Sequence, residues 1–434
     1  MNRSQPRLRV HFLALLIHIC LGAAVSLAQA IAPVIAVDHG PNAPQQLAKP
    51  YVILVSLDGF RYDYPTRYHA RNLLELGAHG ASAPDGMLPP YPSITFPSHY
   101  TIITGLYPEH HGIIANTFYD PARKEMYSYH DPKTVGDGTW YGGTPLWVLA
   151  EEQGMRAASF FWVGSEADIQ KMRPTYYLKF DGSFPNGKRV EQVLAWLRLP
   201  PEQRPHFITL YFSDADSAGH RYGPDSPQVA DAVHELDYQI GKLVAGIKQL
   251  NLRVDLIVVA DHGMANVKGA PIVLDQYGLK TGLFEQIVDD KLYPKSETAA
   301  EEAYEELHGK SDKFLVYRRS QAPPELHYDR NPREGDPVII ATGPYFIAAT
   351  TNLQGPERVP VGAHGYSPAK VPEMKAIFLA AGPDIRAGVK VPSFENVDIY
   401  PFIAKILGLD ITNLPTGPID GRLDALQGIL SSPK

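Results

Sequence analysis

Short, largely apolar runs alternate with helix-like segments along the first part of the chain. Tyr51–Leu57, His206–Phe212 and Val254–Ala260 are the clearest runs. A strand that is apolar on both faces is typical of a parallel sheet covered by helices on both sides. Ser226–Leu250, between two of these runs, carries its apolar residues at helical spacing. The alternation predicts an α/β fold with a mostly parallel sheet flanked by helices.

Other segments extend this pattern in both directions. Helices are predicted for Pro65–Leu76, which Gly77 would end, and for Pro145–Gln153, Arg189–Leu197, Glu297–His308 and Val397–Leu407; strands are predicted for Ala157–Trp162, Phe314–Tyr317, Val338–Ala341, Tyr345–Ala349 and Ala376–Ala381. The pattern loosens between residues 265 and 361. We therefore predict an α/β core made of residues 50–264 and 362–430, with a smaller inserted cap-like region at residues 265–361.

The N-terminus has the pattern of a secretory signal. Arg3, Arg7 and Arg9 precede an apolar run from Phe12 to Leu27, and a plausible cleavage site follows it. We predict a cleaved signal peptide at residues 1–30 and a linker at residues 31–49. The mature protein is then expected in the periplasm or outside the cell, without a stable membrane anchor.

Cysteine content and charge narrow the class of protein further. The single cysteine, Cys20, lies within the predicted signal, so the mature chain would hold no disulfide. Loss of the signal changes the formal net charge from −7 to −10. An acidic body argues against broad binding to a nucleic-acid backbone. It leaves open a small anionic ligand held by metal ions.

Acidic residues follow three of the predicted strands. Asp58 and Asp261 come directly after buried runs, and Asp216 follows a run within four residues. In open parallel sheets, binding sites form at the carboxyl ends of the strands. A single aspartate in this position is more often a helix cap. Three of them, two with a nearby histidine, predict a metal site.

Histidines complete a candidate ligand set. His220 follows Asp216 by four residues, and Gly219 is expected to let the chain turn between them. The full candidate set is Asp58, Asp216, His220, Asp261, His262 and His364. Carboxylate and imidazole ligands without thiolates suit zinc. Six ligands divided three and three predict two Zn²⁺ ions with open positions, and such a pair can clamp both oxygens of a phosphoryl transfer.

A hydroxyl is placed at a predicted helix start. Thr95 lies in the proline-bounded segment Tyr91–Tyr100, and Tyr100–Thr104 is interpreted as a helix. Unpaired backbone N–H groups and the dipole at a helix N-terminus suit an anion, and they lower the cost of an alkoxide. Thr95 alone would more often be a cap. Its interpretation as a nucleophile depends on the surrounding ligand set.

Neighbouring residues offer alternatives. Asp214 competes with Asp216 as a ligand, and the spacing to His220 favours Asp216. Three histidines close to Thr95 in the sequence are interpreted as structural, because most of the sixteen histidines should be surface or core residues: His99, His110 and His111.

Several segments, in this order, resemble the nucleotide pyrophosphatase/phosphodiesterase family of the alkaline phosphatase superfamily, and its compact bacterial members in particular. They are Leu57–Phe60, Ile94–Tyr100, Tyr211–Pro224, Asp261–Met264, Gly362–Gly365 and Phe394–Pro401. Each motif alone is weak, but together they are specific. The resemblance covers nearly the whole mature chain.

The resemblance implies an alkaline-phosphatase-like core that binds two zinc ions with Thr95 beside both. One ion would be held by Asp216, His220 and His364, and the other by Asp58, Asp261 and His262. The resemblance also implies that Asn116 stabilises a phosphoryl oxygen. Phe96 and Tyr211 would sandwich a nucleobase, and Tyr177 or Tyr176 would extend that slot. Ile94, Ser98 and Ser213–Ala215 depart from the common family pattern, which leaves substrate preference open.

The expected activity is zinc-dependent hydrolysis of phosphodiester or pyrophosphate bonds in nucleotides or related small diesters. A phospho-threonine intermediate would form, and nucleoside monophosphates would be released. The alternative is a phosphomonoesterase or phosphonate hydrolase on the same two-metal core. A monoesterase needs extra positive groups, and the nearest basic residues are Arg61, Arg67 and Arg71. A sulfatase lacks support because its modified Cys or Ser is absent, and a purely zinc-binding protein would not need a hydroxyl among the ligands.

Overall fold

The computed structural model of the protein describes residues 34–350 and 359–431. The predicted signal peptide lies outside the described residues. The predicted linker is corrected in part, because Ile35–Ala36 pairs with Tyr176–Tyr177 at the edge of the central sheet. An edge strand offers free backbone groups, and this short segment satisfies them. Within the two described ranges, no helix is long and apolar enough to cross a membrane.

A nine-stranded sheet forms the centre of the molecule. Its strands in chain order are β1 (Ile35–Ala36), β2 (Tyr51–Leu57), β3 (Ala81–Ser82), β4 (Ala157–Phe160), β5 (Tyr176–Tyr177), β6 (Phe207–Phe212), β7 (Val254–Val259), β8 (Phe378–Ala381) and β9 (Val389–Lys390). Across the sheet, the order is β1-β5-β4-β6-β2-β7-β8-β3-β9. Most neighbours pair in parallel; β1 with β5 and β8 with both of its neighbours are antiparallel.

The centre of this sheet positions the candidate ligands. β2 lies between β6 and β7 and is parallel to both. Every residue of β2 and β7 is buried, as the largely apolar runs predict. Because the three strands run in the same direction, their carboxyl ends meet at one edge. Asp58, Asp216 and Asp261 therefore leave the sheet on the same side.

Helices cover the sheet and connect its strands. They are α1 (Tyr64–Arg67), α2 (Arg71–His79), α3 (Thr95–Thr104), α4 (Pro108–His111), α5 (Pro132–Val135), α6 (Leu146–Glu152), α7 (Asn186–Leu197), α8 (Asp214–Tyr222), α9 (Pro227–Lys248), α10 (Glu297–Leu307) and α11 (Ile399–Leu407). The predicted helices at 145–153, 189–197, 226–250, 297–308 and 397–407 correspond to α6, α7, α9, α10 and α11, with shifts at their ends.

The helix predicted for residues 65–76 is wrong in its bounds. The structure has two helices there, α1 and α2, separated near His69, whose φ is 54°. Gly77 does not end a helix but lies inside α2. A Cβ at Gly77 would come within 3.0 Å of Leu379 Cδ2. The glycine therefore serves the close packing of α2 on β8.

Gly219 was also expected at a turn, and it lies inside α8 instead. A Cβ there would be 2.9 Å from Met264 Cε. The missing side chain lets α8 pack against the chain that follows β7. Asp216 and His220 are consequently one helical turn apart, on the same face of α8.

The region at residues 265–361 has a hydrophobic cluster of its own. The short antiparallel pairing of Ala265–Asn266 with Gly362–Ala363 joins the two ends of the region. Its further strands are Ile272–Val273, Phe284–Val288, Lys291–Pro294, Phe314–Tyr317, Val338–Ala341 and Ile347–Ala348. Leu292, Leu307, Phe314 and Ile339 are buried together in the cluster. Outside this region, Thr117–Asp120 and Glu125–Ser128 form a hairpin.

Candidate active site

Three of the candidate ligands form an outer group at the mouth of the site: Asp216, His220 and His364. The Nε2 atoms of His220 and His364 lie 3.3 and 3.7 Å from Asp216 Oδ1. The two Nε2 atoms are 3.1 Å apart. Asp216 and His220 come from α8, and His364 directly follows the strand Gly362–Ala363 that closes the inserted region.

The other three candidates form an inner group that is more deeply buried: Asp58, Asp261 and His262. His262 Nε2 lies 2.9 Å from Asp261 Oδ2 and 3.7 Å from Asp58 Oδ1. These side chains are at most 2% exposed, whereas the His220 side chain is 37% exposed. The rings of His262 and His364 stack with centroids 3.6 Å apart, so the two groups are continuous.

The grouping differs in detail from the predicted division. Asp216, His220 and His364 do come together as one possible metal-binding triad. Asp58, however, gathers with Asp216 and His262 in one triad, and with His99 and Asp261 in another. His99 Nδ1 lies 2.9 Å from the Thr95 carbonyl oxygen and 3.3 Å from Asp261 Oδ2. His99, interpreted from the sequence as structural, therefore contacts a candidate ligand directly.

The carboxylates of the inner group differ in their protonation. Burial raises the pKa of Asp58 well above its usual value, and the charges of Asp261 and Asp216 add to this effect. Burial also acts to raise the pKa of Asp261, but the neighbouring His262 and His99 outweigh it and hold that pKa well below its usual value. Negative charge is thus crowded at Asp58, which a nearby cation would relieve.

The imidazoles have the orientation of metal ligands. In His220, His262 and His364, Nδ1 lies 2.9 Å from a backbone carbonyl oxygen, to which it must donate. In the neutral form of each ring, Nε2 then carries the lone pair and faces the carboxylates. Burial acts to lower the pKa of His262, but Asp261 outweighs it and raises that pKa. Burial, reinforced by His262 and His220, lowers the pKa of His364 to about 3, so this ring is neutral.

Carboxyl oxygens of the same cluster lack hydrogen bonds. Asp58 Oδ1, Asp216 Oδ1 and Asp261 Oδ2 are buried without a hydrogen-bond partner among the described residues. Unpartnered buried carboxylate oxygens facing imidazole lone pairs are unstable as a protein-only arrangement. A metal centre with oxygen and nitrogen ligands resolves both problems, so the residues present fit such a centre.

Thr95 begins helix α3 beside the inner group. Ile94 is the N-cap in an extended conformation, and Thr95 is the first helical residue, so the helix begins five residues before the predicted start at Tyr100. Thr95 Oγ1 lies 3.3 Å from His262 Nε2. Asn116 Oδ1 accepts a hydrogen bond of 2.9 Å from the backbone N–H of Phe96. This bond orients the Asn116 amide so that its Nδ2 remains the donor end.

Three aromatic rings, which we call the aromatic slot, lie near the inner group: Phe96, Phe180 and Tyr211. The Tyr211 hydroxyl donates to Asp58 Oδ2 over 2.5 Å, which couples this ring to a candidate ligand. Phe180, 57% exposed, lies with its ring centroid 6.0 Å from that of Tyr211. Sequence reasoning missed Phe180, because only the fold shows that it is exposed there.

Tyr177 and Tyr176 were predicted to extend this slot, and the structure places them in β5 of the central sheet. Tyr177 is 7% exposed, and Tyr176 stacks on Trp196. Both residues belong to the sheet, and Phe180 is an exposed ring beside Tyr211. Asp214 accepts from Asn186 Nδ2 instead of joining the ligand groups, which favours Asp216.

A known protein family matches the part of the chain that holds these residues. The family described as type I phosphodiesterase/nucleotide pyrophosphatase matches residues 52–367, a span that contains Thr95 and all six candidate ligands. The chain belongs to the type I phosphodiesterase/nucleotide pyrophosphatase family. The predicted family, the α/β fold and, at the level of the family, the hydrolase class are thereby confirmed.

Relatives in this family are similar over most of this chain. Human ectonucleotide pyrophosphatase/phosphodiesterase family member 1 is 34% identical over 423 residues, which cover 91% of this chain and 43% of the relative. An uncharacterized pyrophosphatase/phosphodiesterase of Schizosaccharomyces pombe is 34% identical, with 86% and 79% covered. A venom phosphodiesterase of Macrovipera lebetinus is 34% identical, with 90% and 46% covered. The chain thus spans less than half of the human and viper relatives.

Solved structures of the family have the same fold. Murine ectonucleotide pyrophosphatase/phosphodiesterase 5 superimposes with a TM-score of 0.80 at 29% identity, covering 88% of this chain and 100% of the murine chain. An inactive threonine-to-alanine variant of that murine protein, in complex with AMP, superimposes with a TM-score of 0.81.

Proposed function

We propose that the protein hydrolyses phosphodiester or pyrophosphate bonds in nucleotides or related small diesters and releases nucleoside monophosphates. One observation carries the proposal: the Thr95 hydroxyl, at the start of α3, lies 3.3 Å from a histidine of two adjoining aspartate–histidine groups. Family membership supports the same reaction class.

We propose that two zinc ions are the cofactor. Asp216, His220 and His364 would hold one ion, and Asp58, Asp261 and His262 would hold the other, with Thr95 beside both. When bound, such ions supply Lewis acidity, which polarises a phosphoryl oxygen and lowers the pKa of a nearby hydroxyl. The all-oxygen-and-nitrogen donor set supports zinc over metals that prefer thiolates.

Thr95 acts as the nucleophile in the first step. Its Oγ bonds to phosphorus as the bond to the leaving oxygen breaks, and the hydroxyl proton ends on the departing oxygen. The phospho-threonine intermediate still carries the nucleoside. Water then cleaves the Thr95–phosphorus ester, which releases the nucleoside monophosphate and restores the hydroxyl. The positive end of α3 and its first backbone N–H groups stabilise the negative charge at this position. The inactive threonine-to-alanine relative that holds AMP supports this role.

Asn116 stabilises the reacting phosphoryl group. Its Oδ1 is occupied by the Phe96 N–H, so Nδ2 is the end that can donate to a non-bridging oxygen. One preorganised donor of this kind contributes about 10²–10³ in rate. Phe96, Tyr211 and Phe180 provide faces on which a nucleobase can stack, which adds about 1–3 kcal/mol.

The basic residues near the site favour a diester over a monoester. Arg61 pairs with Asp63, Arg67 with Asp225 and Arg71 with Glu75, at 2.6–2.9 Å. Each of these cations is therefore neutralised by its own acid. In the described part of the chain, none of the three is left to balance the second negative charge of a monoester.

The proposal is tested by comparing two substrates with the same leaving group. We expect 4-nitrophenyl AMP to be hydrolysed far faster than 4-nitrophenyl phosphate, and bound zinc near two ions per chain by elemental analysis. Faster hydrolysis of the monoester would indicate the alternative phosphomonoesterase. Zinc binding without hydrolysis of either compound would indicate a protein that only binds metal.

We further propose that the protein acts in the periplasm or outside the cell, with the N-terminal signal removed. The Arg-rich start, the apolar run and the small residues that follow support this location. N-terminal sequencing of exported protein should begin near residue 31. A mature chain that still begins at Met1 in the cytoplasm would contradict the proposal.

A further inference from the structure

A cavity of about 240 Å³ opens beside the outer group of ligands. His220 and His364 form part of its wall, together with Ile94, the residue directly before Thr95. The opposite wall comes from the inserted region, through residues 289–291, 328, 334, 337–339, 341, 345–347 and 360. As far as the structure describes the chain, no ring of the aromatic slot lines this cavity.

The position of the cavity is that of the second substituent of the substrate. In phosphoryl transfer, the attacking and leaving oxygens are roughly in line across phosphorus. Phosphorus must lie next to Thr95 Oγ1. A nucleoside held by Phe96, Phe180 and Tyr211 occupies one side of that point. The leaving group then points past the outer ligands, His220 and His364, where the cavity lies.

The walls of the cavity are acidic and aromatic. Asp289, Asp290 and Glu334 contribute carboxyl groups, and the single lysine is Lys291. Lys291 Nζ lies 3.0 Å from Asp290 Oδ1, so its charge is already paired. The rings at the wall are Tyr91, Tyr328, Tyr345, Phe346 and Tyr366. Apart from the metal ligands His220 and His364, the charged groups of the lining are mainly carboxylates, which repel a polyphosphate.

Glu334 supplies an independent sign of a ligand. It is 2% exposed, and both of its carboxyl oxygens are buried without a hydrogen-bond partner in the described ranges. An unpartnered buried carboxyl group costs stability, about 1–3 kcal/mol in mutational series. A ligand that donates hydrogen bonds from within the cavity would remove that cost. An anionic leaving group has no such donors.

We propose that this cavity is the leaving-group subsite, and that it selects an alcohol free of phosphate charge and bearing hydrogen-bond donors, such as an amino alcohol or a polyol. This inference rests on the proposed function, because it names the second half of the same substrate. Glu334 and Asp290 are the specificity-determining residues. Nucleoside triphosphates, which release pyrophosphate, are then poor substrates relative to diesters of such alcohols.

Four compounds that share the adenylyl group test this subsite. They are the 2-aminoethyl, glyceryl and ethyl esters of AMP, and ATP. Wild type and the variants Glu334→Gln and Asp290→Asn are compared by kcat/KM. Affinity is measured in parallel by calorimetry in the Thr95→Ala background, which does not depend on turnover. Glu305→Gln, an exposed position on α10 of the same region, is the matched control.

We expect Asp290→Asn to weaken the aminoethyl or glyceryl ester about tenfold relative to the ethyl ester, the effect of one hydrogen bond to a charged group. Glu334→Gln should weaken the same esters less, because it alters a hydrogen bond to a neutral carboxyl group. Asp290→Asn should improve binding of ATP. If only the aminoethyl ester is weakened, the subsite recognises a cation. If the aminoethyl and glyceryl esters are both weakened, the subsite recognises hydrogen-bond donors in general. Equal effects on all four compounds, or none, would overturn the subsite.

The two proposals fail in different ways. If wild type hydrolyses none of the four compounds, the proposed reaction fails, and the calorimetric comparison still decides the subsite. If Glu334→Gln does not fold, Asp290→Asn alone tests the subsite. The Asp290 side chain is partly exposed, so its substitution removes a charge without creating a buried cavity. Tighter binding of ATP than of all three esters by wild type would contradict the proposal directly.

Discussion

Among the described residues, the strand ends and the cavity wall both contain buried carboxyl oxygens without hydrogen bonds, and the pKa values of Asp261 and Glu334 are shifted in opposite directions. At the strand ends, imidazoles hold the pKa of Asp261 well below its usual value, against the effect of burial. In the cavity wall, burial raises the pKa of Glu334 to about 9, and the charge of Glu109 adds to the rise. The first arrangement keeps an ionised ligand for a cation. The second keeps a neutral carboxyl group that can accept from a donor.

The largest expected effect comes from breaking the ionised cluster. Asp261→Asn should lower zinc content and reduce turnover about 10³-fold or more, because a metal ion contributes several kcal/mol to the transition state. Elemental analysis and kcat on 4-nitrophenyl AMP measure both quantities. Asp214→Asn is the matched control, since Asp214 also follows a strand of the central sheet, β6, but accepts a hydrogen bond from Asn186. Full zinc occupancy in Asp261→Asn would remove Asp261 from the ligand set.

A smaller effect on activity is expected from a substitution in the aromatic slot, which lies outside the comparison of the two carboxyl groups. Phe180→Ala should raise KM for nucleotides about 5- to 100-fold, because stacking on one ring contributes about 1–3 kcal/mol. Hydrolysis of a small aliphatic diester should be unchanged. Tyr238→Ala, another exposed aromatic at 59%, serves as the control. Equal changes for both substrates would exclude Phe180 from base binding.

The smallest effect concerns stability, and it tests the neutral carboxyl group. The pKa of Glu334 is raised from 4.5 to about 9 on folding. Its contribution to stability is therefore fully present below pH 4.5 and is lost as pH rises toward 9. Glu334→Gln should unfold like wild type near pH 4.5, and should be about 1–3 kcal/mol more stable at pH 8.

Denaturant unfolding at the two pH values measures this difference. Glu305→Gln, on the exposed face of α10, should show no pH-dependent gain. If Glu334→Gln matched wild type at pH 8, the carboxyl group would be ionised and paired in solution, and the comparison between the two regions would lose its basis.

The sequence predicted the first region far better than the second. Asp58, Asp216 and Asp261 could be placed at one sheet edge because buried apolar runs mark strands, and parallel strands share a direction. Thr95 could be placed at a helix start for a similarly local reason. Asp290 lies in a turn between two strands of the inserted region, and Glu334 ends a three-residue 3-10 helix. Neither segment has a periodic pattern that indicates which way a side chain points.

The errors have physical causes as well. Gly77 and Gly219 were interpreted as chain-reversing residues, but each is a packing contact inside a helix. Tyr177 was assigned to the slot from the family resemblance, and the structure has it in strand β5. His99 was treated as structural because its distance from Asp261 depends on how α3 packs over the strand ends. Tertiary contacts decide all four cases.

Thr95→Ala tests the central claim most directly, namely that one hydroxyl beside two ligand groups is the nucleophile. Turnover of 4-nitrophenyl AMP and bound zinc are measured together, with Thr95→Ser as the variant that retains a hydroxyl. We predict that Thr95→Ala keeps both ions and binds AMP but shows no turnover, while Thr95→Ser retains part of the activity. Hydrolysis by Thr95→Ala at the wild-type rate would contradict the account.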